Sequence, residues 1–580
     1  MESSTQHIRI GTLDELKQQG MLVVSGRDRP LAVFYHQDRL YAIDNRCPHM
    51  GFPLHRGTTQ DGILTCHWHH ARFDLASGCT FDLWADDVPA YAVEVQDGDV
   101  WVTVPTNSTG AAERWQRRLR EGMEQNIRLV QAKAVIGLLD AGIAPTQLLA
   151  QAGLYGVQHR QAGWSSGLTI LTAMGNLLPS LLESERIVPL YQGVLHVARD
   201  CDGQPPQTLL QPLASRSIPL STLKRWLRRW VEVRDRDGAE RCVLTALALG
   251  ASPADMTEML MTAATDHFYL DVGHTLDFIN KSFELLQHVG WEHAGTVLPS
   301  VLGHLTTAER SEERNAWRHP VDLVPLVQDA CAILPALLEA GQGKQWRGLE
   351  ALVETLLGDS PQEIVTAMCD SLRDGATPLA LARALVGAAG RRIVHFHTSN
   401  EFGDWVAVLH TFTYSNALYQ ALKRATSPEM LRGVFHGAMR VYLDRFLNVP
   451  PAALPAPYDP TRPTLSAAEF PARFLELLDT QQQVDAAGAL VYAYLTAGHA
   501  VDRLYRTLVT ALVREDAAFH SFQMLEAAIQ QHRELGATQA GHLMLVAAAR
   551  FLAAHAPTQR ERLQTATIAL RLHRGETLYA

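Results

Sequence analysis

Near residue 110 the chain changes its hydrophobic period. Before it, short runs rich in β-branched and aromatic residues alternate with turn residues. Leu31–Tyr35 and Leu40–Asp44, separated by His-Gln-Asp-Arg, read as a hairpin, and Ile63–Thr65, Tyr91–Val95 and Val100–Val104 read as further strands. After the polar stretch Pro105-Thr-Asn-Ser-Thr-Gly110, long Leu/Ala-rich segments carry helical spacing, as in Ala351–Leu357 and Ala486–Leu495. Side-chain period 2 and period 3.6 cannot share one element. The chain is therefore expected to be multidomain: a small all-β domain followed by a large all-α domain built of helical repeats. Gly142-Ile-Ala-Pro, Gly250-Ala-Ser-Pro and Gly375-Ala-Thr-Pro each end one apolar run and open the next, and Gly498-His-Ala-Val-Asp is a degenerate fourth copy. Glycine closing a helix and proline opening the next predict helix–turn–helix joints in duplicated multi-helix units. Six prolines between Pro450 and Pro463 exclude helix there and set off a last helical block.

Composition narrows the function. Of 580 residues 47% are hydrophobic and the net charge is −10, which argues against a nucleic-acid partner. No run approaches the roughly 18 apolar residues of a membrane span, and the opening MESSTQHIRI lacks the apolar core of a signal peptide. Seven unevenly placed cysteines favour a metal role in a reducing, cytoplasmic compartment over a disulfide scaffold. Of 25 histidines, seven precede residue 71 and eighteen follow residue 158. Metal chemistry is therefore expected in both parts.

In the first part, Cys47-Pro-His49 and Cys66-His-Trp-His69 lie sixteen residues apart. Two thiolates for one iron and two imidazoles for the other, each pair on its own tight loop, are what a Rieske [2Fe–2S] centre needs. Gly51, Pro53 and Gly57 supply turn chemistry, and Ala71-Arg-Phe-Asp-Leu-Ala-Ser-Gly78 continues the pattern. The segment from about residue 7 to 105 resembles the Rieske ferredoxin and oxygenase domains, with Cys47, His49, Cys66 and His69 as cluster ligands. Respiratory Rieske proteins carry an extra cysteine in each cluster loop. Here Cys79 has no evident mate, and no Ser or Tyr stands in the usual hydroxyl-donor positions, so the low-potential type is expected. His55, His67 and His70 also lie close by; His67 and His70 sit at offsets that do not fit the motif and read as rim or interface residues. The resulting domains are 1–106 (Rieske), 107–115 (linker), 116–449 (candidate catalytic, all-α), 450–463 (Pro-rich linker) and 464–580 (C-terminal helical region packing on the catalytic part).

A one-electron carrier fused to a long helical chain calls for an acceptor, and the histidine clusters are the candidates. If helical, His267, Asp271 and His274 would occupy i, i+4 and i+7 on one face. His397 and Glu401 would pair at i, i+4, and His410 follows. His159 stands seventeen residues after Gly142, the offset of His267 after Gly250. His267, His410, His159, His274 and His397 are the candidate iron ligands, with Asp271, Glu401 and Lys281 as further ligands or catalytic groups. Histidine and carboxylate ligands with open positions suit non-haem iron and O2.

Ala248-Leu-Gly-Ala-Ser-Pro253, His267-Phe-Tyr-Leu-Asp271-Val-Gly273 and Asp404-Trp-Val-Ala-Val-Leu-His410-Thr-Phe-Thr resemble segments of the questin oxidase-like family. The resemblance implies a helical oxygenase acting on polycyclic quinone rings, with His267 and His410 matching family histidines and Asp271 replacing another. The combined reading is an O2-dependent monooxygenase or dioxygenase: the cluster delivers electrons to a non-haem iron, which oxidises an apolar, aromatic or polycyclic small-molecule substrate. Its partners would be an external reductase or ferredoxin using NAD(P)H and a further copy of itself in a homo-oligomer, with no nucleic acid and no membrane. One alternative is a non-catalytic electron-transfer or redox-sensing protein with a helical protein-binding scaffold. Another is a Rieske ring-hydroxylating oxygenase, for which His288-Val-Gly-Trp-Glu-His293 gives the histidine spacing but Leu285 stands where the bridging aspartate belongs.

Overall fold

The computed structural model describes residues 5–25, 30–105, 110–214, 217–459, 466–576 and 578. Residues 106–109 of the first linker and 460–463 of the Pro-rich run lie outside the described residues. Two compact units result: Met1–Leu148 with Glu561–Ala580, and Leu149–Arg560.

The first unit begins with nine strands: β1 (Thr5–Thr12), β2 (Met21–Ser25), β3 (Pro30–His36), β4 (Arg39–Asp44), β5 (Thr58–Gln60), β6 (Ile63–Thr65), β7 (Arg72–Asp74), β8 (Ala90–Gln96) and β9 (Asp99–Pro105). Six form one sheet in the order β1-β9-β8-β4-β3-β2, and β5-β6-β7 form a second. Three hairpins share one turn chemistry. Gln37-Asp38, Asp61-Gly62 and Asp97-Gly98 all have positive φ at both central residues, as a two-residue type I′ turn requires. The expected hairpin is present, with Leu31 opposite Asp44.

Strand β3 is buried on both faces. Ala32 and Phe34 point into a core with Ile43, Leu64 and Phe73, whereas Leu31 and Val33 point into a core with Val100 and Val102. Cys47 and Cys66 belong to the first of these cores, so the loops that carry them rise from packed ground. Helices Ala111–Glu124, Arg128–Asp140 and Glu561–His573 belong to this unit. The compact unit therefore runs past the change of period near residue 110, because the first two of these helices send buried cations back to the β loops.

The second unit is helical. The expected joints are present along the helical stretch: Gly142, near the end of the first unit's main segment, and Gly250, Gly375 and Gly498 in the second unit all have positive φ. Pro145, Pro253 and Pro378 each open a helix. Among the described residues no single helix is long and apolar enough to cross a membrane.

Two candidate metal centres

The two loops of the first unit are built alike. In one, Cys47 N–H donates to the Phe52 carbonyl and Gly51 N–H donates back to the Cys47 carbonyl, each at 2.8 Å. In the other, Cys66 N–H donates to Ala71 O at 2.8 Å and His70 N–H to Cys66 O at 2.9 Å. The fifth residue of each loop is left-handed: Gly51 at φ 85° and His70 at φ 63°. His70 thus occupies a turn position, not a ligand position. His67 bonds Thr58 Oγ1 at 2.5 Å, and His55 is held by Asn45. Gly57 serves close approach instead of turn chemistry: its φ is −80°, and an added Cβ would lie 2.4 Å from Thr65 O.

The loops bring four donors together. The Cys47 and Cys66 sulfurs are hydrogen-bonded to each other, and the His49 and His69 rings meet edge-on with centroids 4.8 Å apart. The sulfur pairing and burial push the Cys47 thiol up. The same pairing, against burial and with the backbone N–H groups of Trp68 and His69, draws Cys66 down to about 6. Burial, reinforced by Lys133 and His69, lowers His49 to about 4, so its imidazole is neutral at pH 7. His49 Nδ1 is buried and has no hydrogen-bond partner among the described residues. A buried lone-pair donor beside two thiols and a second imidazole suits a cluster held by two sulfurs and two nitrogens.

A Rieske [2Fe–2S] domain model matches residues 6–91. The 3-phenylpropionate/cinnamic acid dioxygenase ferredoxin subunit of Photorhabdus laumondii is 32% identical over 95 residues, 16% of this chain and 90% of that protein. The chain belongs to the Rieske [2Fe–2S] family. The human Rieske domain-containing protein is 34% identical over 73 residues, 12% of this chain; the chain spans 46% of that protein's length. The solved ferredoxin of carbazole 1,9a-dioxygenase from Nocardioides aromaticivorans is 28% identical, covering 17% of this chain and 99% of its own, with a TM-score of 0.17.

The Rieske domain implies a [2Fe–2S] cluster. The helices of the first unit brace the loops that would hold it. Lys133 Nζ donates to the carbonyls of Pro48 and His49 and lies 3.2 Å from Asp86 Oδ2. Arg118 Nε reaches Asp86 Oδ1 at 2.9 Å, and the same guanidinium donates to Leu83 O and Ala85 O. Burial alone would raise the Asp86 carboxyl, yet Lys133 and Arg118 hold it below the usual carboxylate range. In Lys133→Met the two carbonyls lose a charged donor while Asp86 keeps Arg118. The expected cost is roughly 1.5–3 kcal/mol, the worth of a hydrogen bond to a charged group. The cluster should also bleach sooner in urea, followed by its visible absorption.

The second centre lies in the helical unit. His274 opens the helix His274–Val289, His410 sits within Phe402–Arg424, and His520 is the second residue of Phe519–Leu535. Their ligand atoms all lie within 4.8 Å of one another, and His410 Nε2 is 2.9 Å from His520 Nε2. Two nitrogens bound at about 2.1 Å to one ion are at most about 4.2 Å apart, so small side-chain adjustments close the set. Burial holds all three imidazoles neutral at pH 7, lowering His274 and His520 to about 4 and His410 to about 2. Phe278 and Phe519 flank His274, with ring centroids at 5.4 and 5.8 Å.

A strained turn aims His274. Tyr269, Asp271 and Val272 have φ of 44°, 48° and 49°, and Gly273 follows at 97°. Each non-glycine residue held there costs about 1–3 kcal/mol, and the conformation is hardest on a β-branched residue such as Val272. The neighbouring segment over-determines the turn: Asp271 N–H donates to Glu309 O at 2.9 Å, and Ser311 Oγ to Tyr269 O at 3.0 Å.

The structure brings together two of the expected ligands, His274 and His410, and adds His520. The others stand elsewhere. His267 commits Nδ1 to Glu312 at 2.8 Å and Nε2 to Glu232 at 2.9 Å. His159 stacks on Tyr155 and bonds its carbonyl. His397 is in a loop, bonded to Ser399, and Glu401 is the capping residue of the helix that carries His410. Neither the helical face of His267, Asp271 and His274 nor the pair His397–Glu401 exists, because residues 269–273 form the left-handed turn and the helix begins only at Phe402. Asp271 is not among the grouped ligands. Lys281 is buried, with its ammonium committed to Glu284 and Glu526. Among the described residues His288 and His293 form no metal group either: His288 lies in the last turn of its helix, bonded to Asn176.

Proposed function

We propose that this Rieske protein is an oxygenase in which Cys47, His49, Cys66 and His69 hold the [2Fe–2S] cluster and His274, His410 and His520 hold a non-haem iron. The observation that carries this reading is the convergence of three neutral imidazoles from three helices in a chain with a Rieske domain. The cluster supplies single electrons, and the iron is where O2 would be activated. Three nitrogen ligands leave positions open for O2 and substrate. The phenyl rings of Phe278 and Phe519 favour an apolar, aromatic substrate and exclude water from its surroundings. Relatives named as ferredoxin subunits of aromatic-acid dioxygenases support electron transfer within an oxygenase system. An external reductase drawing on NAD(P)H would recharge the cluster. The family resemblance to questin oxidases supports a polycyclic substrate.

The test is reoxidation. The protein is reduced without oxygen, mixed with O2 and followed at the cluster's visible band. His410→Ala is expected to slow reoxidation by about tenfold or more, since even contacts that merely orient a metal ligand are worth about 10–100-fold. Equal rates in the native protein and the variant would leave electron transfer without a second iron as the function.

A further inference from the structure

Below the three histidines, two of the same helices turn polar. Asp277 follows His274 by one turn and Gln523 follows His520 by one turn, and Gln523 Nε2 donates to Asp277 Oδ2. One turn further, Lys281 Nζ lies 2.6 Å from both Glu284 Oε2 and Glu526 Oε2. Amides fill the remaining acceptors: Asn280 donates to Glu284 at 2.8 Å, Asn176 donates to both glutamates at 2.8 Å, and Gln530 donates to Glu526. Arg424, from the helix of His410, donates to Asn280 Oδ1 at 2.6 Å. His288 reaches Asn176 from the far end of Asp277's own helix. Asp277, Lys281, Glu284 and Glu526 are each no more than 4% exposed.

The charges do not balance. Three carboxyl groups share this interior with two cations, Lys281 and Arg424. An uncompensated buried charge costs several kcal/mol, and a carboxylate sheds it by taking a proton. Both glutamates touch the ammonium. Among the described residues Asp277 has an amide partner and no cation within hydrogen-bond reach, so the proton belongs there.

Resting on the oxygenase reading, we infer that Asp277 is a proton donor to the three-histidine site, holding one proton a helical turn from His274 and releasing it when O2 is reduced there. Hydroxylation of a substrate RH follows RH + O2 + 2 e⁻ + 2 H⁺ → ROH + H2O. The C–H and O–O bonds break, a C–O bond forms, and the second oxygen leaves as water. The electrons come from the reductase through the cluster, one proton comes from the Asp277 carboxyl and the other from solvent. Burial raises Asp277 to about 7, outweighing the pull of Lys281, and also raises Glu526, whereas Lys281 overrides burial at Glu284 and keeps it low. The acid form therefore dominates below pH 7 and is lost above it.

Infrared difference spectra of the full-length protein in H2O and D2O test this directly. The native protein at pH 6 should show a protonated-carboxyl C=O band that shifts in D2O and fades as pH rises through about 7. Asp277→Asn should abolish the band and slow O2-dependent reoxidation with iron content unchanged. Gln523→Leu, which keeps the carboxyl and removes its donor, should move the band to higher frequency. No band in the native protein, or one unchanged in both variants, overturns the inference. A band lost in Asp277→Asn from a protein with no iron beyond the cluster overturns delivery through failure of the oxygenase reading, and is told apart by the iron count.

Discussion

His520→Ala is expected to strip iron from the helical unit as completely as His410→Ala, with acid-labile sulfide unchanged. The His520 and His410 Nε2 atoms face each other at 2.9 Å, so removing either ring opens the same three-ligand set. Outer contacts to metal ligands are already worth about 10–100-fold in affinity, and losing a ligand outright should exceed that. His267→Ala is the control. Both its ring nitrogens are bound to carboxylates, so it should retain native iron. Measuring iron and sulfide on the three variants decides the ligand set. Iron kept in His520→Ala and lost in His267→Ala would move the site to His267.

Lys281→Met should produce the largest loss of stability of any single change considered. It leaves Glu284 and Glu526, 4% and 0% exposed, without the ammonium between them. Breaking a buried ion pair from one side costs about 3–5 kcal/mol, because the remaining charge stays buried and unpaired. The pH dependence has a definite sign. Without Lys281 the folded carboxyls titrate above their unfolded value of about 4.3. The folded state then binds more protons than the unfolded state, so the deficit against the native protein grows as pH rises from that value and vanishes below it. Urea midpoints by far-ultraviolet circular dichroism at pH 8 and pH 5 should show this shrinkage. Adding Glu284→Gln and Glu526→Gln should restore most of the loss, since the neutral amides need no cation. A deficit equal at both pH values would show that Lys281 acts by packing alone.

Local chemistry was readable from the sequence; convergence was not. The Gly-Pro joints put glycine at positive φ and proline at a helix start, because each residue's own conformational preference decides the matter. The cluster loops were legible for the same reason, since both ligands of each loop lie within four residues. The short strands β5 and β7 carry too few residues to show a period. Helical spacing placed His267 and His274 on one face, yet backbone hydrogen bonds from the segment around Glu309 and Ser311 support a left-handed turn there, with Val272 where no propensity would put it. His520 had no local signal at all. It is a single histidine between Phe519 and Ser521, separated from His410 by 110 residues, and meets it through the packing of two helices. The compact first unit likewise takes in Arg118 and Lys133 from the helical stretch, because Asp86 and two loop carbonyls need their charges.

The central claim is that one chain holds a Rieske cluster and a separate, third iron. The most direct measurement is iron and acid-labile sulfide in protein purified without oxygen. A [2Fe–2S] cluster alone gives about one iron per sulfide, and the account predicts about three irons for every two sulfides. A ratio of about one in protein whose cluster is fully loaded would contradict it.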